Sequence, residues 1–321
     1  MLHILTYHRV AQPSDAPTLN PRLISALPDV FEDQMRYLAR HYNVISLPHL
    51  LDAVSTGAKL PKRAVLITFD DAYVDFGTIA WPIMKRYQLP ATLFVPTAFP
   101  SQPDQLFWWD RLHHAVMQTA QTVLSHPPLG DLSLASVEQR AGSLRRLQDD
   151  LKSQPHNAVI DRVNAISDTL EVPTVEHRSV LNWDELRGLS REGVTLAAHS
   201  QTHPILPRLS SEDIWREITG SQEDLQREIG QTLPIFCYPS GAHDDRVVTL
   251  VKEAGFAMAF ATENGLPLAS PDPQALLRLG RANITRRTSL PLFRLRLTPL
   301  GALLDRWRYQ RKRRMMPMGQ M

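Results

Sequence analysis

Short apolar runs alternate along this chain with longer segments whose apolar residues recur every three or four positions. Leu2 to Thr6, Ala64 to Phe69, Ala91 to Val95, Val194 to Ala198, Pro234 to Tyr238 and Phe256 to Ala261 are the runs, and Asn43 to Leu47 is a shorter one. Each is too short for a stable helix, so each reads as a buried strand. Between them, Phe31 to Tyr42 sets Phe31, Met35, Leu38 and Ala39 on one helical face, with Asp29 as its expected N-cap. Pro48 opens another helix, and Asp184 to Arg191, Glu212 to Ile229 and Asp245 to Ala254 continue the series. Gly193, Gly230 and Gly255 stand where helices should stop. Repeated strand–helix units predict an α/β fold, a parallel sheet with its helices outside, and about seven of them predict a closed or nearly closed barrel.

Two stretches fall outside the rhythm. Residues from about 100 to 180 are polar, mostly helical in pattern and without an obvious strand, so they read as a helical insertion in a barrel domain spanning 1–290. Residues 291–321 read as a basic amphipathic helical tail. Arg294, Arg296, Arg306, Arg308, Arg311, Lys312, Arg313 and Arg314 face a single acid there, Asp305, and Leu300, Leu303, Leu304, Trp307 and Tyr309 are interleaved. That mixture suits an anionic membrane surface contacted through 294–314, or a solvated end.

Composition narrows the class. The net charge of +2 is too small to call for nucleic acid, and the excess sits in the tail. The one cysteine, Cys237, excludes an internal disulfide. The amino terminus shows no basic segment leading into an apolar run, and no apolar stretch approaches the ~18 residues that span a bilayer. These features set the expectation of a cytoplasmic protein, peripheral to the inner face of the membrane if the tail binds there.

The chemistry lies at strand ends. Asp70-Asp71 follows Ala64–Phe69 directly, and His199-Ser200-Gln201-Thr202-His203 follows Val194–Ala198 directly. In α/β barrels the carboxyl ends of the strands share one face, where reactive groups gather. Two acids and two histidines therefore meet in one crevice. Two imidazoles and a carboxylate suit Zn²⁺, with Co²⁺, Ni²⁺ or Fe²⁺ as alternatives. A second carboxylate is then placed for general-base work. Either motif alone is weak, since acids after a strand commonly cap turns and helices. Their shared register is what carries weight.

At these residues the sequence resembles the NodB-type polysaccharide deacetylases, carbohydrate esterase family 4. Thr68-Phe69-Asp70-Asp71-Ala72 resembles the first motif, Thr-Phe-Asp-Asp-Gly. His199-Ser200-Gln201-Thr202-His203-Pro204 resembles the second, and Cys237-Tyr238-Pro239-Ser240-Gly241 resembles the third, a groove loop. The resemblance runs from about Met1 to Arg286. It implies a deformed (β/α)7-type barrel and hydrolysis of the acetamide of an N-acetylated glycan, or of a lipid- or nucleotide-linked amino-sugar precursor. It further implies Asp70 as general base, Asp71, His199 and His203 as metal ligands, and an oxyanion donor in the loop Tyr238-Pro239-Ser240. Three positions depart from the pattern. Ala72 replaces a glycine. Cys237 stands where an arginine orients the base, and Arg281 is the expected substitute. The late histidine that serves as general acid is missing, and Tyr7-His8 resembles a branch with an amino-terminal Tyr-His, so His8 is expected to protonate the leaving amine.

Other residues carry lesser readings. Trp108 and Trp109 suit stacking on sugar rings, or anchoring of the insertion. His243-Asp244-Asp245 contains the His-x-carboxylate fragment of an iron site, against the plainer reading that the acids complement the following helix. Two alternatives to a deacetylase stay open: hydrolysis of another carbon–nitrogen amide on the same barrel, and a glycan-binding protein with a decayed site.

Overall fold

The computed structural model describes residues 2–173, 178–262, 267–268, 272, 274–299 and 301. These form two compact units. One comprises the chain up to Gln12, Arg22–Gln102 and the part from Val180 onward; the other comprises Pro13–Pro21 and Pro103–Ser179.

The first unit is a curled parallel sheet with helices outside. Its strands are β1 (Leu2–Tyr7), β2 (Asn43–Ile45), β3 (Ala64–Phe69), β4 (Thr92–Val95), β5 (Thr195–Ala198), β6 (Ile235–Cys237), β7 (Met258–Phe260) and β8 (Ala282–Asn283). Their order is β7-β6-β5-β4-β3-β1-β8, with β2 paired to β3. β2 takes the first half of β3 (Asn43 opposite Ala64), and β4 takes the second half (Thr68 opposite Thr92). Leu279 exchanges backbone hydrogen bonds with Ala259 and Ala261 beyond β7, and the following β8 pairs with β1. The segment Leu279–Asn283 thus bonds to both ends of the strand series, which curls the sheet into a barrel shape.

The two-residue alternation of side chains sorts the core. Ile4, Leu66, Phe94, Ala197, Ile235 and Phe260 pack together as one apolar cluster inside the curl. Their neighbours Leu5, Ile67, Leu93, Leu196, Phe236 and Ala259 belong to a second cluster shared with the outer helices. Pro28–His41 supplies Phe31, Met35 and Leu38 to that cluster, and Ser211–Ile229 supplies Ile214, Ile218 and Leu225. Fully burying a side chain of this size contributes roughly 1.5–3 kcal/mol.

Helix starts differ in detail from expectation. The helix expected at Phe31 begins at Pro28, and Asp29 lies in its first turn; the N-cap is Leu27, which makes no side-chain cap bond. The proline's fixed φ sets this start instead. Asn182 and Glu185 form a reciprocal capping box on Trp183–Arg191, and Asp244 caps Asp245–Glu253.

The second unit has helices Trp108–Gln118, Val137–Lys152 and His156–Thr169 around a core that includes Leu112, Val116, Leu147 and Val163. It also contains an antiparallel hairpin, Val123–His126 with Gly130–Ser133, which the sequence reading did not include. Each hairpin strand has four residues, and Leu124 and Leu132 are the apolar side chains it buries. Four residues with one apolar anchor do not establish a period of two. Asn20 N–H donates to Asp110 Oδ1 at 2.6 Å, tying Pro13–Pro21 to the first of these helices. Of the expected basic tail, residues 291–299 and 301 are described; the helix Leu290–Arg296 opens it, and Phe293 and Leu297 are buried in the first unit's core. Trp307 and the cluster Arg306–Arg314 lie outside the described residues. No described helix is long and apolar enough to cross a membrane.

Candidate active site

Strand parity decides which side chains enter the curl. Thr68 precedes Asp70 by two residues on β3, and Leu279 precedes Arg281 by two; Ala197 and Cys237 share the inward face. Asp70, His199 and Arg281 therefore continue the inward rows just beyond the strands. Arg281 Nη1 donates to Asp70 Oδ1 at 2.8 Å and Nη2 to Asp70 Oδ2 at 2.7 Å, with both side chains fully buried. The same guanidinium donates to Thr68 Oγ1, to the Ala261 carbonyl and to Cys237 Sγ, and lies over the Phe94 ring. Burial by itself raises the pKa of Asp70, but the charge and hydrogen bonds of Arg281 outweigh it and hold the carboxyl below its ordinary value. Burial pushes the Cys237 thiol up, so it stays protonated beside them.

A second group adjoins this pair. Asp71, His199 and His203 each offer a ligand atom within 4.8 Å of the others, all buried. His199 Nε2 stands 3.6 Å and His203 Nε2 3.3 Å from Asp71 Oδ1. That oxygen is buried and makes no hydrogen bond. His199 Nδ1 donates to the Cys237 carbonyl at 2.8 Å, which turns Nε2 toward Asp71. A buried, unbonded carboxylate oxygen flanked by two imidazole nitrogens fits a divalent cation. Burial raises the pKa of Asp71, but the influences of His203, His199 and His8 together outweigh it, so the net direction is down. Cys237, Asp70 and His199 form another compact group. Its carboxylate is taken by Arg281 and its imidazole is turned to Asp71, so it is the poorer ligand set.

The turns that present these groups are left-handed. Asp71, Ala72, Ser200, His203 and Ser240 have φ of 71°, 53°, 61°, 57° and 56°. Such backbone costs roughly 1–2 kcal/mol per non-glycine residue and persists where surrounding contacts fix it. Ser200 Oγ accepts the His203 N–H at 3.1 Å and is one such contact.

His8 follows β1, whose Tyr7 carbonyl accepts the Asp70 N–H at 3.0 Å, and is among the groups that lower the pKa of Asp70 and Asp71. Its own N–H donates to Ser25 Oγ. A buried ion pair that the sequence reading missed fixes this segment. Arg9 Nε and the Val10 N–H both donate to Asp75, at 2.8 and 2.9 Å. Arg9 lies in the short strand Arg9–Val10, two residues past β1, and Asp75 stands six residues past β3, so no strand-end position announced the pair.

The sequence matches the family described as polysaccharide deacetylase over residues 57–154 and 158–259. The chain belongs to the polysaccharide deacetylase family. It is 34% identical over 71 residues to the poly-β-1,6-N-acetyl-D-glucosamine N-deacetylase of Escherichia coli K12, covering 22% of this chain and 11% of that protein. It is 40% identical over 68 residues to the enzyme of the same name from Staphylococcus aureus, covering 21% of this chain and 23% of that one. The matches thus span under a quarter of these relatives' lengths. Its fold resembles that of the Streptococcus pyogenes deacetylase PplD in complex with acetate, with a TM-score of 0.59 and 20% identity over 95% of this chain and 97% of that one.

Set against the family's motifs, Arg281 reaches Asp70 from Leu279–Asn283 and touches the sulfur of Cys237, the residue at the arginine's usual place. In the third-motif loop, Ser240 is exposed and left-handed, and Pro239 is buried. The side chain of Tyr238, expected at the substrate, is turned away from the inward face. It is fully buried, donates its hydroxyl to the Leu277 carbonyl at 2.8 Å and stacks on His243. The reason is parity: Cys237 faces inward, so Tyr238 faces the helices. For His243-Asp244-Asp245 the plainer reading fits: Asp244 caps the following helix, His243 Nδ1 donates to the Gly241 carbonyl and Asp245 pairs with Arg278. Trp108 and Trp109 belong to the second unit, where Trp108 packs against the core and Trp109 stacks on Phe107 at 4.5 Å.

Proposed function

We propose that this protein is a divalent-cation-dependent N-deacetylase of an N-acetylated amino-sugar glycan or its precursor. The observation that carries the reading is the convergence of Asp71, His199 and His203 beside an Asp70 held ionised by Arg281. Asp71 Oδ1 and the two Nε2 atoms would hold the cation, with Zn²⁺ the best match to two nitrogens and one oxygen. When bound, such a cation polarises a carbonyl and makes water nucleophilic near neutral pH.

The chain's own groups do the rest. Asp70 takes the proton from the attacking water as general base, and Arg281 keeps that carboxylate charged and aligned. His8, at the end of β1, gives a proton to the departing amine. A backbone N–H of the exposed Ser240 loop donates to the oxygen of the tetrahedral intermediate. The arginine at 281 restores the partner missing at 237, which favours catalysis over mere glycan binding. The names of the relatives make β-1,6-linked N-acetylglucosamine oligomers the first substrate to try.

The experiment is acetate release from those oligomers by Zn²⁺-loaded protein, beside Asp70→Asn. Release that disappears in the variant supports the reading. Release that persists in Asp70→Asn removes Asp70 as the base. Absence of release from any N-acetylated sugar, with cation bound, refutes the deacetylase reading.

A further inference from the structure

We propose that Glu217 and Gly220, on the helix Ser211–Ile229, are positioning residues that set the cation affinity of the site by clamping the loop between His199 and His203. The inference rests on the cation reading above.

That loop is held in an unfavourable conformation, with Ser200 and His203 both left-handed. Something must hold it there. Glu217 accepts hydrogen bonds on both oxygens: Oε2 from the Gln201 and Thr202 N–H groups at 2.8 and 2.9 Å, Oε1 from the Thr202 hydroxyl at 2.6 Å. One turn on, the helix comes close to the loop at Gly220. A Cβ there would stand 2.5 Å from both Cδ and Oε1 of Gln201, so a glycine leaves room for that side chain to lie across the helix. Two turns on from Glu217, Asp224 Oδ2 accepts from Gln201 Nε2 at 2.8 Å and from Thr97 Oγ1 at 2.6 Å. Positions 217, 220 and 224 recur on one helical face. From the other side, the Thr97 and Ala98 N–H groups donate to the Ser200 and Gln201 carbonyls at 3.1 and 3.0 Å.

The three residues between the histidines are therefore gripped from the helix and from the end of β4. None of the gripping groups is itself in a ligand set. Their effect on the cation passes through the angle and separation of the two imidazoles, which is how outer partners tune metal sites.

The test measures two quantities on the full chain. One is the Zn²⁺ dissociation constant, by competition with a chromophoric chelator; the other is the Tm of the metal-free protein. Glu217→Ala should weaken Zn²⁺ binding about 10- to 100-fold, and Glu217→Gln, which can still accept both N–H groups, should bind within about threefold of wild type. Gly220→Ala is the decisive companion, because alanine favours the helix while its Cβ displaces the flexible end of Gln201. It should weaken Zn²⁺ binding severalfold without lowering the metal-free Tm. Unchanged affinity in Glu217→Ala with a lowered Tm would assign Glu217 a purely structural role and overturn the inference. Wild-type protein that takes up no Zn²⁺ would overturn the cation reading itself.

Discussion

Replacing Arg281 with methionine removes a charge from the buried pair and leaves Asp70 alone in the curl of the sheet. The pair is bidentate, with side chains 0% and 4% exposed, so solvent screens it little. Breaking such a pair from one side costs roughly 3–5 kcal/mol, because the remaining charge stays buried without a partner. The pH dependence follows from the direction of the shift. In the wild type the Asp70 pKa is depressed, so the pair's contribution is present above the ordinary carboxylate value and fades as pH falls through the depressed one. In Arg281→Met the largest influence opposing burial is gone, so the Asp70 pKa rises relative to the wild type. The variant is therefore penalised most at neutral pH, and acid relieves it by protonating Asp70. Urea unfolding of wild type, Arg281→Met, Asp70→Asn and the double variant at pH 5 and pH 7 measures this. The expected result is a deficit near 3–5 kcal/mol at pH 7 that shrinks at pH 5, with the double variant about 1–3 kcal/mol better than the sum of the singles. The acid limb of the deacetylation pH profile should move upward in Arg281→Met as well. A deficit below about 1 kcal/mol, strictly additive and independent of pH, would refute the argument.

Four further outcomes are expected. His8→Ala should lower kcat about 10²- to 10⁴-fold at unchanged Zn²⁺ content, and undiminished turnover removes His8 from the mechanism. Tyr238→Phe leaves the Leu277 carbonyl without its buried donor, so stability should drop by about 1–3 kcal/mol while kcat and KM hold; a selective rise in KM would return Tyr238 to the substrate groove. Stripping the protein with EDTA should abolish acetate release and Zn²⁺ should restore it, with a rise in Tm on rebinding; activity that survives complete stripping contradicts the Asp71–His199–His203 assignment. Cys237→Arg in an Arg281→Ala background brings a guanidinium to Asp70 from β6 instead, and should recover part of the turnover that Arg281→Ala alone loses; no recovery would mean the two positions are not interchangeable.

The legible and illegible parts of this site differ in physical kind. A period of two is written into the apolar runs, so Asp70 and His199, continuing the inward rows of β3 and β5, could be brought to one crevice from sequence. The same rule, applied to Pro234–Tyr238, turns the Tyr238 side chain toward the helices; reading that segment as a motif instead of a strand set it in the groove. Asp71 and His203 obey no strand period, because they stand on left-handed turns. Glycine usually announces such turns, and here Ala72, Ser200 and His203 occupy them. What holds those turns lies far along the chain: the Arg9–Asp75 pair, and Glu217 on the next helix. Arg281 lay between these cases. Its need was legible, since a buried Asp70 beside a cysteine lacks a charge partner. Its route was not, because it arrives on Leu279–Asn283, a segment with two residues of regular strand and no apolar period of its own. A buried carboxylate without a cation nearby is too costly to stand. The more reliable reading of such a chain therefore asks first which buried charge needs an opposite charge, and only then which segment can bring one.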